Sequence, residues 1–202
     1  MNRYLVPRRT VIAGAGALGG CSVLPRPAYV QRTTWPLSLT PPEQRPARPH
    51  GKVLVVRDFQ AAPGLDQVGV QWLNADGSVH VDFYNLWEVT PARAAADDAR
   101  RWLAASGLFA AVIAPDSGLT ADLTLEGELT TFSADPRVLQ GRVGLSITLL
   151  DQRSTPPRVR TQTSLAATAR MTVDTPSGVV AAQRAALTSL MGQIVGLLAR
   201  LV

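Results

Sequence analysis

The alternation of apolar and polar residues between Ala121 and Met171 sets the tightest limit on what this chain can fold into. In "ADLTLEGELTTF" (121–132), Leu123, Leu125 and Leu129 share one side of an extended chain. In "GRVGLSITLLD" (141–151), Val143, Leu145, Ile147 and Leu149 do the same. "RVRTQTSLAATARM" (158–171) reads as a third, more polar strand with one face in water, and "DQRSTPPR" (151–158) as the turn before it. Three successive strands with one apolar face make a meander, and that face needs a second layer to cover it. The last segment, "SGVVAAQRAALTSLMGQIVGLLARLV" (177–202), supplies one. Val180, Leu187, Ile194 and Leu201 recur at helical spacing, with Leu190 and Leu197 beside them. Glu126 and Glu128 sit two apart on the water side of the meander, where they serve solubility and edge protection.

The first half of the body is built from shorter pieces. "KVLVVRDF" (52–59) is a β-branched run of strand type. "VGVQWL" (68–73) and "SVHVDFY" (78–84) flank "NADG" (74–77), whose Asp76-Gly77 favours a tight hairpin turn. In the second of these strands Val79, Val81 and Phe83 face one way, while His80 and Asp82 face the other, His80 outward. "TPARAAADDARRWLAASG" (90–107) is a helix with Thr90 as N-cap, Pro91 at its first position and Gly107 just past its end. Ala95, Ala99, Trp102 and Leu103 form its apolar stripe, and Asp97 and Asp98 pair with Arg93, Arg100 and Arg101 on the wet face. "LFAAVI" (108–113) follows as a strand. The predicted architecture is α+β: a mostly antiparallel sheet with two main helices packed on it, in one domain over 51–202.

What precedes that body is of another character. "MNRYLVPRRT" (1–10) is basic, and "VIAGAGALGG" (11–20) is uncharged and apolar. This is the layout of a secretory signal, with an apolar stretch too short to span a bilayer. Arg8-Arg9 also fits a twin-arginine leader, and both export routes stay open. Immediately after stands Cys21, the one cysteine of the chain. Residues 22–50 hold seven of the 15 prolines, giving a stiff spacer from 21 to 50 in which "TWPLSL" (34–39) is a possible edge strand.

Composition and motif content argue against most other functions. The formal charge of +5 includes Arg3, Arg8 and Arg9 of the leader; without them +2 remains, no footprint for nucleic acid. A single cysteine excludes an internal disulfide and multi-cysteine metal sites. His50 lies in the spacer and His80 stands alone on its hairpin. Asp97 and Asp98 are neighbours on a helix, so they diverge by about 100° and cannot act as a dyad. No nucleophile, base and acid converge in any known motif, so the expectation is no enzyme, no metal and no small-molecule cofactor.

Two stretches resemble known patterns. Leu18-Gly19-Gly20-Cys21 resembles a bacterial lipobox. The resemblance implies diacylglycerol on the Cys21 thiol, cleavage before Cys21 and N-acylation of its new amino group, palmitate being a typical chain. Ser22 in the next position resembles an outer-membrane address. "DFYNLWEVTPARAAADDARRWLAASGLF" (82–109), together with "VLVVRDFQAAPGLDQ" (53–67), resembles the ABC-type transport auxiliary lipoproteins, which include the paraquat-inducible protein C lipoproteins. The shared signature is Tyr84, Asn85 and Trp87 followed by a helix starting at Pro91; Glu88-Val89-Thr90 departs from it where the family often has a second proline. The resemblance spans 21–202 and implies a membrane-anchored docking subunit, facing the periplasm from the outer membrane. The implied partners are a mammalian-cell-entry (MCE) domain protein and, through it, a permease and an ATPase that move lipids between the two membranes. Tyr84, Asn85 and Trp87 are then candidate partner-binding residues, or else they close the core. The alternative function is a carrier lipoprotein enclosing an acyl chain. A leftover apolar stripe on the last helix would suit a homo-oligomer.

Overall fold

The structure, a computed structural model, describes residues 29–202, and Gln31–Val202 form one compact unit. The signal segment, its Leu18-Gly19-Gly20 and Cys21 lie outside the described residues. The spine of the unit is a 13-residue strand, β7 (Leu123–Asp135), with the antiparallel strands β8 (Gln140–Asp151) and β9 (Arg158–Arg170) laid beside it in turn. This is the meander that the alternation predicts. Along its other edge β7 is tiled by three short parallel strands: β2 (Val53–Val56), β3 (Gln60–Ala61) and β4 (Gly69–Leu73). β4 continues through its hairpin into β5 (Val79–Trp87), and β5 pairs in parallel with β1 (Thr33–Trp35). β6 (Ala111–Ile113) adds to the outer side of β2. The sheet is therefore mixed: the long ladders and the β4–β5 hairpin are antiparallel, and the other short pairings are parallel. Gly77 closes the β4–β5 turn with φ of 85°, as the Asp-Gly pair demands.

Two helices, α1 (Pro91–Ala105) and α2 (Pro176–Ala199), pack on the sheet, so the fold is α+β as expected. α2 begins at Thr175, whose hydroxyl accepts a hydrogen bond from the Gly178 amide, and it has proline at its first position. It buries Val180, Leu187, Leu190, Met191 and Ile194 against Leu145, Ile147 and the rest of the meander. The helix backbone comes down on Gly141 of β8, where a Cβ would stand 2.7 Å from the Ala182 carbonyl carbon; only glycine allows that approach. A bulge between Leu129 and Thr131 shifts the alternation by one, so Phe132 and Ala134 rejoin the core.

α1 departs from expectation in two details. Thr90 occupies the N-cap position, but its side chain accepts no hydrogen bond from the first turn. Asp98 is not on a wet face. It is fully buried, because α1 is covered on that side by the chain segment 36–45. Leu37 and Leu39 of this segment belong to the main core, and the Arg45 amide donates to the Ala105 carbonyl at 2.9 Å. The second half of the proline-rich stretch is thus a strap on the body. It is preceded by a three-residue edge strand, Thr33–Trp35, which begins one residue before the expected 34–39 and is cut short by Pro36.

Candidate functional site

The signature residues Tyr84, Asn85 and Trp87 lie at the end of β5, where β1 pairs with it: Thr33 against Asn85, Thr34 against Leu86, Trp35 against Trp87. Alternation along β5 sends them to different destinations. Trp87 is 1% exposed and meets Phe132 edge to face, with ring centroids 5.6 Å apart. Its role is to close the core. Asn85 is half-buried and its amide faces two ways. The side-chain oxygen accepts from the Trp35 indole Nε1 at 3.1 Å, and its Nδ2 donates to Asp82 Oδ2 at 2.7 Å. Asp82 Oδ1 in turn accepts from the amides of Tyr84 at 2.7 Å and Asn85 at 3.1 Å. The Glu88 amide completes the grip by donating to the Trp35 carbonyl at 2.9 Å.

The signature is therefore a mooring for the strand that arrives from the amino terminus. A second fastening joins residues 59 apart in sequence: Asp98 Oδ1 accepts from the Leu39 amide at 3.0 Å and pairs with Arg101. Burial pushes the Asp98 carboxyl up from its ordinary value, while the Leu39 amide and Arg101 oppose the shift. Its Oδ2 is enclosed with no hydrogen-bond partner among the described residues. Burying Leu37 and Leu39 contributes about 1.5–3 kcal/mol each, so apolar contact and two polar clasps hold the strap together.

Tyr84 goes the other way. It is 41% exposed and stands edge-on to Phe83, itself 63% exposed, with centroids 5.3 Å apart. The Arg32 guanidinium lies over the Phe83 ring at 4.0 Å. Val79, Val81 and Phe83 are exposed, although hydrophobicity would send them to the core, and Asp82 is buried; His80 is exposed as expected and stacks on Trp72 with ring centroids 4.2 Å apart. Asp82 and Asp98 are the functional residues that sequence reasoning missed. The three-residue offset of Asp82 from Asn85, suited to a side chain bonding its own backbone, was the signal for the first. Asp98 has no such signal, since Asp97 before it and Arg101 one turn on make it read as part of an ordinary solvated ion-pair cluster on α1.

Elsewhere the surface offers open, polar depressions. One lies between Arg57, Asp58, Gln60, Glu126 and Thr148, where Arg57 and Glu126 approach to 3.5 Å. Among the described residues no three His, Cys, Asp or Glu side chains gather as a metal site, and no helix is long and apolar enough to cross a membrane.

A family model described as ABC-type transport auxiliary lipoprotein component matches residues 36–195. The chain belongs to this family. The match takes in the strap from Pro36, the clasp residues Asp82, Asn85 and Asp98 on β5 and α1, the meander and most of α2. Membership makes the chain an envelope lipoprotein and an auxiliary component of an ABC-type transport system. The crystal structure of protein XCC0632 from Xanthomonas campestris aligns with a TM-score of 0.67 at 22% identity, covering 81% of this chain and 93% of that one. A solved structure of an uncharacterized protein aligns with a TM-score of 0.62 at 15% identity, over 84% of this chain and 97% of the other. At these identities the likeness establishes the fold. No curated protein sequence matches the chain.

Proposed function

We propose that this auxiliary lipoprotein is a non-catalytic docking subunit, held in the outer membrane by acyl chains on Cys21 and facing the periplasm. Residues 1–20 are its signal peptide, Leu18-Gly19-Gly20 its lipobox remnant, and the chain from 21 its tether. Its partner is an MCE-domain protein that links it to a permease and an ATPase moving lipids between the membranes.

The observation that carries this reading is the mooring of the strap. The chain downstream of Cys21 becomes an integral strand within about a dozen residues and is then fastened by Asn85, Asp82 and Asp98. A pull on the membrane anchor would be transmitted to the sheet and not to a loose tail. Asn85 and Trp87 are occupied within the fold, so a partner contact falls to other surface residues.

Two measurements test the reading. Mass spectrometry of the mature protein should give a triacylated Cys21, and Cys21→Ser should move the protein to the soluble fraction; a free thiol on a membrane-bound protein would refute the anchor. Co-purification of the acylated protein from detergent should bring down the MCE-domain protein. Recovery without it, under conditions that keep permease and ATPase together, would refute the docking role. Phospholipid carried through a lipid-free wash would favour the carrier alternative.

A further inference from the structure

We infer that the exposed stripe on β5, Val79, Val81, Phe83 and Tyr84, is a second membrane contact, which lays this face of the body on the phospholipid surface. The inference rests on acylation of Cys21 and adds to it a defined orientation. The first observation is the stripe itself. Four large apolar side chains within six residues are turned outward, in a strand whose polar partner Asp82 is turned inward. Apolar residues usually take the buried face of a half-buried strand; here Val79, Val81 and Phe83 stay exposed although Trp87 at the end of the same strand is buried. Asp82 is satisfied by Tyr84 and Asn85, so its negative charge is withdrawn from the patch. A cation, Arg32, takes the surface position over Phe83 instead. An aromatic pair with a tyrosine hydroxyl, two valines and a guanidinium is the composition suited to the headgroup boundary.

The second observation is where the chain enters. β1 pairs only with Asn85–Trp87, so residues 31 and 32 arrive beside Phe83. Gln31 stands ten positions after Cys21, a separation of at most about 35 Å for a fully extended chain. A body of this size is about 40 Å across, so the face beside Gln31 is the one the anchor keeps within reach of the bilayer. Tethering raises the local concentration of the patch at the surface to roughly millimolar, so a contact too weak to bind membranes alone is sufficient. The middle of the outer face of the meander carries Ser146, Thr148, Gln162 and Ser164, and its exposed apolar side chain, Val159, stands at the far end beside Leu150 with no aromatic partner.

The test uses the acylated full-length protein in vesicles of phosphatidylethanolamine and phosphatidylglycerol. Because the native thiol is consumed by lipid, a cysteine introduced as Phe83→Cys can be labelled alone with an environment-sensitive fluorophore; Val81→Cys is the second reporter and Gln162→Cys the control. The labels at 83 and 81 should brighten about twofold or more on reconstitution, as they leave water, and be quenched by brominated acyl chains, while 162 stays unchanged. Vesicle-bound protein with 83 and 81 as water-exposed as 162 would overturn the patch and leave the anchor standing. Protein that does not float with vesicles and shows an unmodified Cys21 would overturn the anchor and the patch together. Brightening that appears only on adding envelope proteins, and is not quenched by brominated lipid, would overturn the proposal in favour of protein docking.

Discussion

The meander with α2 and the corner formed by β1, β5, α1 and the strap are held by different kinds of interaction. Between α2 and the sheet lie Leu187 and Leu190 of the helix and Leu125, Leu145 and Ile147 of the strands, all essentially fully buried and all apolar. One polar group enters there, Gln183, whose Nε2 donates to the Gln71 carbonyl at 3.1 Å. In the strap corner, buried or half-buried Asp98, Asp82, Asn85 and Trp35 carry directional bonds to backbone and to one another. Burial tolerates small shifts because dispersion and the hydrophobic effect have little directionality; a clasp works only while donor and acceptor stay aligned. The meander therefore stores the stability of the unit, and the strap corner decides where the amino-terminal chain is attached.

The largest effect should come from the apolar half. Leu187→Ala removes a fully buried side chain between α2 and β8 and should destabilise the whole unit by about 3–5 kcal/mol. Thermal unfolding should stay a single transition at lower temperature. Asp98→Ala should cost somewhat less, about 2–4 kcal/mol, since it leaves the buried Leu39 amide without an acceptor. Its signature differs: hydrogen exchange should accelerate first at residues 37–45, while the meander amides keep their protection. Uniform acceleration throughout would erase the distinction between the two halves. Asn85→Ala is smaller, about 1–2 kcal/mol, because Asp82 keeps its two backbone donors while the half-buried links from Asn85 to the Trp35 indole and to Asp82 Oδ2 are lost. The expected readout is exposure of Trp35 to an aqueous fluorescence quencher, with Trp87 remaining shielded.

The same contrast explains what was legible beforehand. The meander and α2 were readable because apolar side chains recur there with a clean period, and a core built from such residues has few other places to go. The hairpin was readable from Asp76-Gly77 alone. The strap was not: Leu37 and Leu39 are two leucines among prolines, and no period marks them as core. Asp98 was assigned to solvent because charged residues usually are, and the alanines of α1 carry too little contrast to show which side is covered. On β5 the alternation marks His80 as outward, which it is, but gives no sign that Val79, Val81 and Phe83 are exposed as well or that Asp82 is buried. Periodicity gives the partition of residues between two faces, but which face meets the core depends on a partner strand far away in sequence. The signature Tyr84, Asn85 and Trp87 was found as a pattern, whereas its division into core, clasp and surface required β1.

The smallest predicted effect separates the halves by pH. Asp98 has its carboxyl raised above the usual 3.8, first by burial. Between 3.8 and its raised value the folded chain holds a proton that the unfolded chain lacks, so this group's contribution to stability falls as pH rises through that window. Asp135 and Asp151 behave oppositely. Hydrogen bonds from Arg137 and Arg153 hold them below 3.8, so their contribution is present above that value and is lost as pH falls beneath it. Stability should peak in mildly acidic solution. Asp98→Asn keeps an oxygen for the Leu39 amide and removes the buried charge, so it should flatten the limb between neutrality and the peak and leave the acid limb unchanged. Melting temperatures of both proteins across this range decide the matter: a variant that keeps the wild-type slope on the neutral side would mean that the strap clasp carries no titrating charge, and that the polar corner differs from the apolar half in geometry alone.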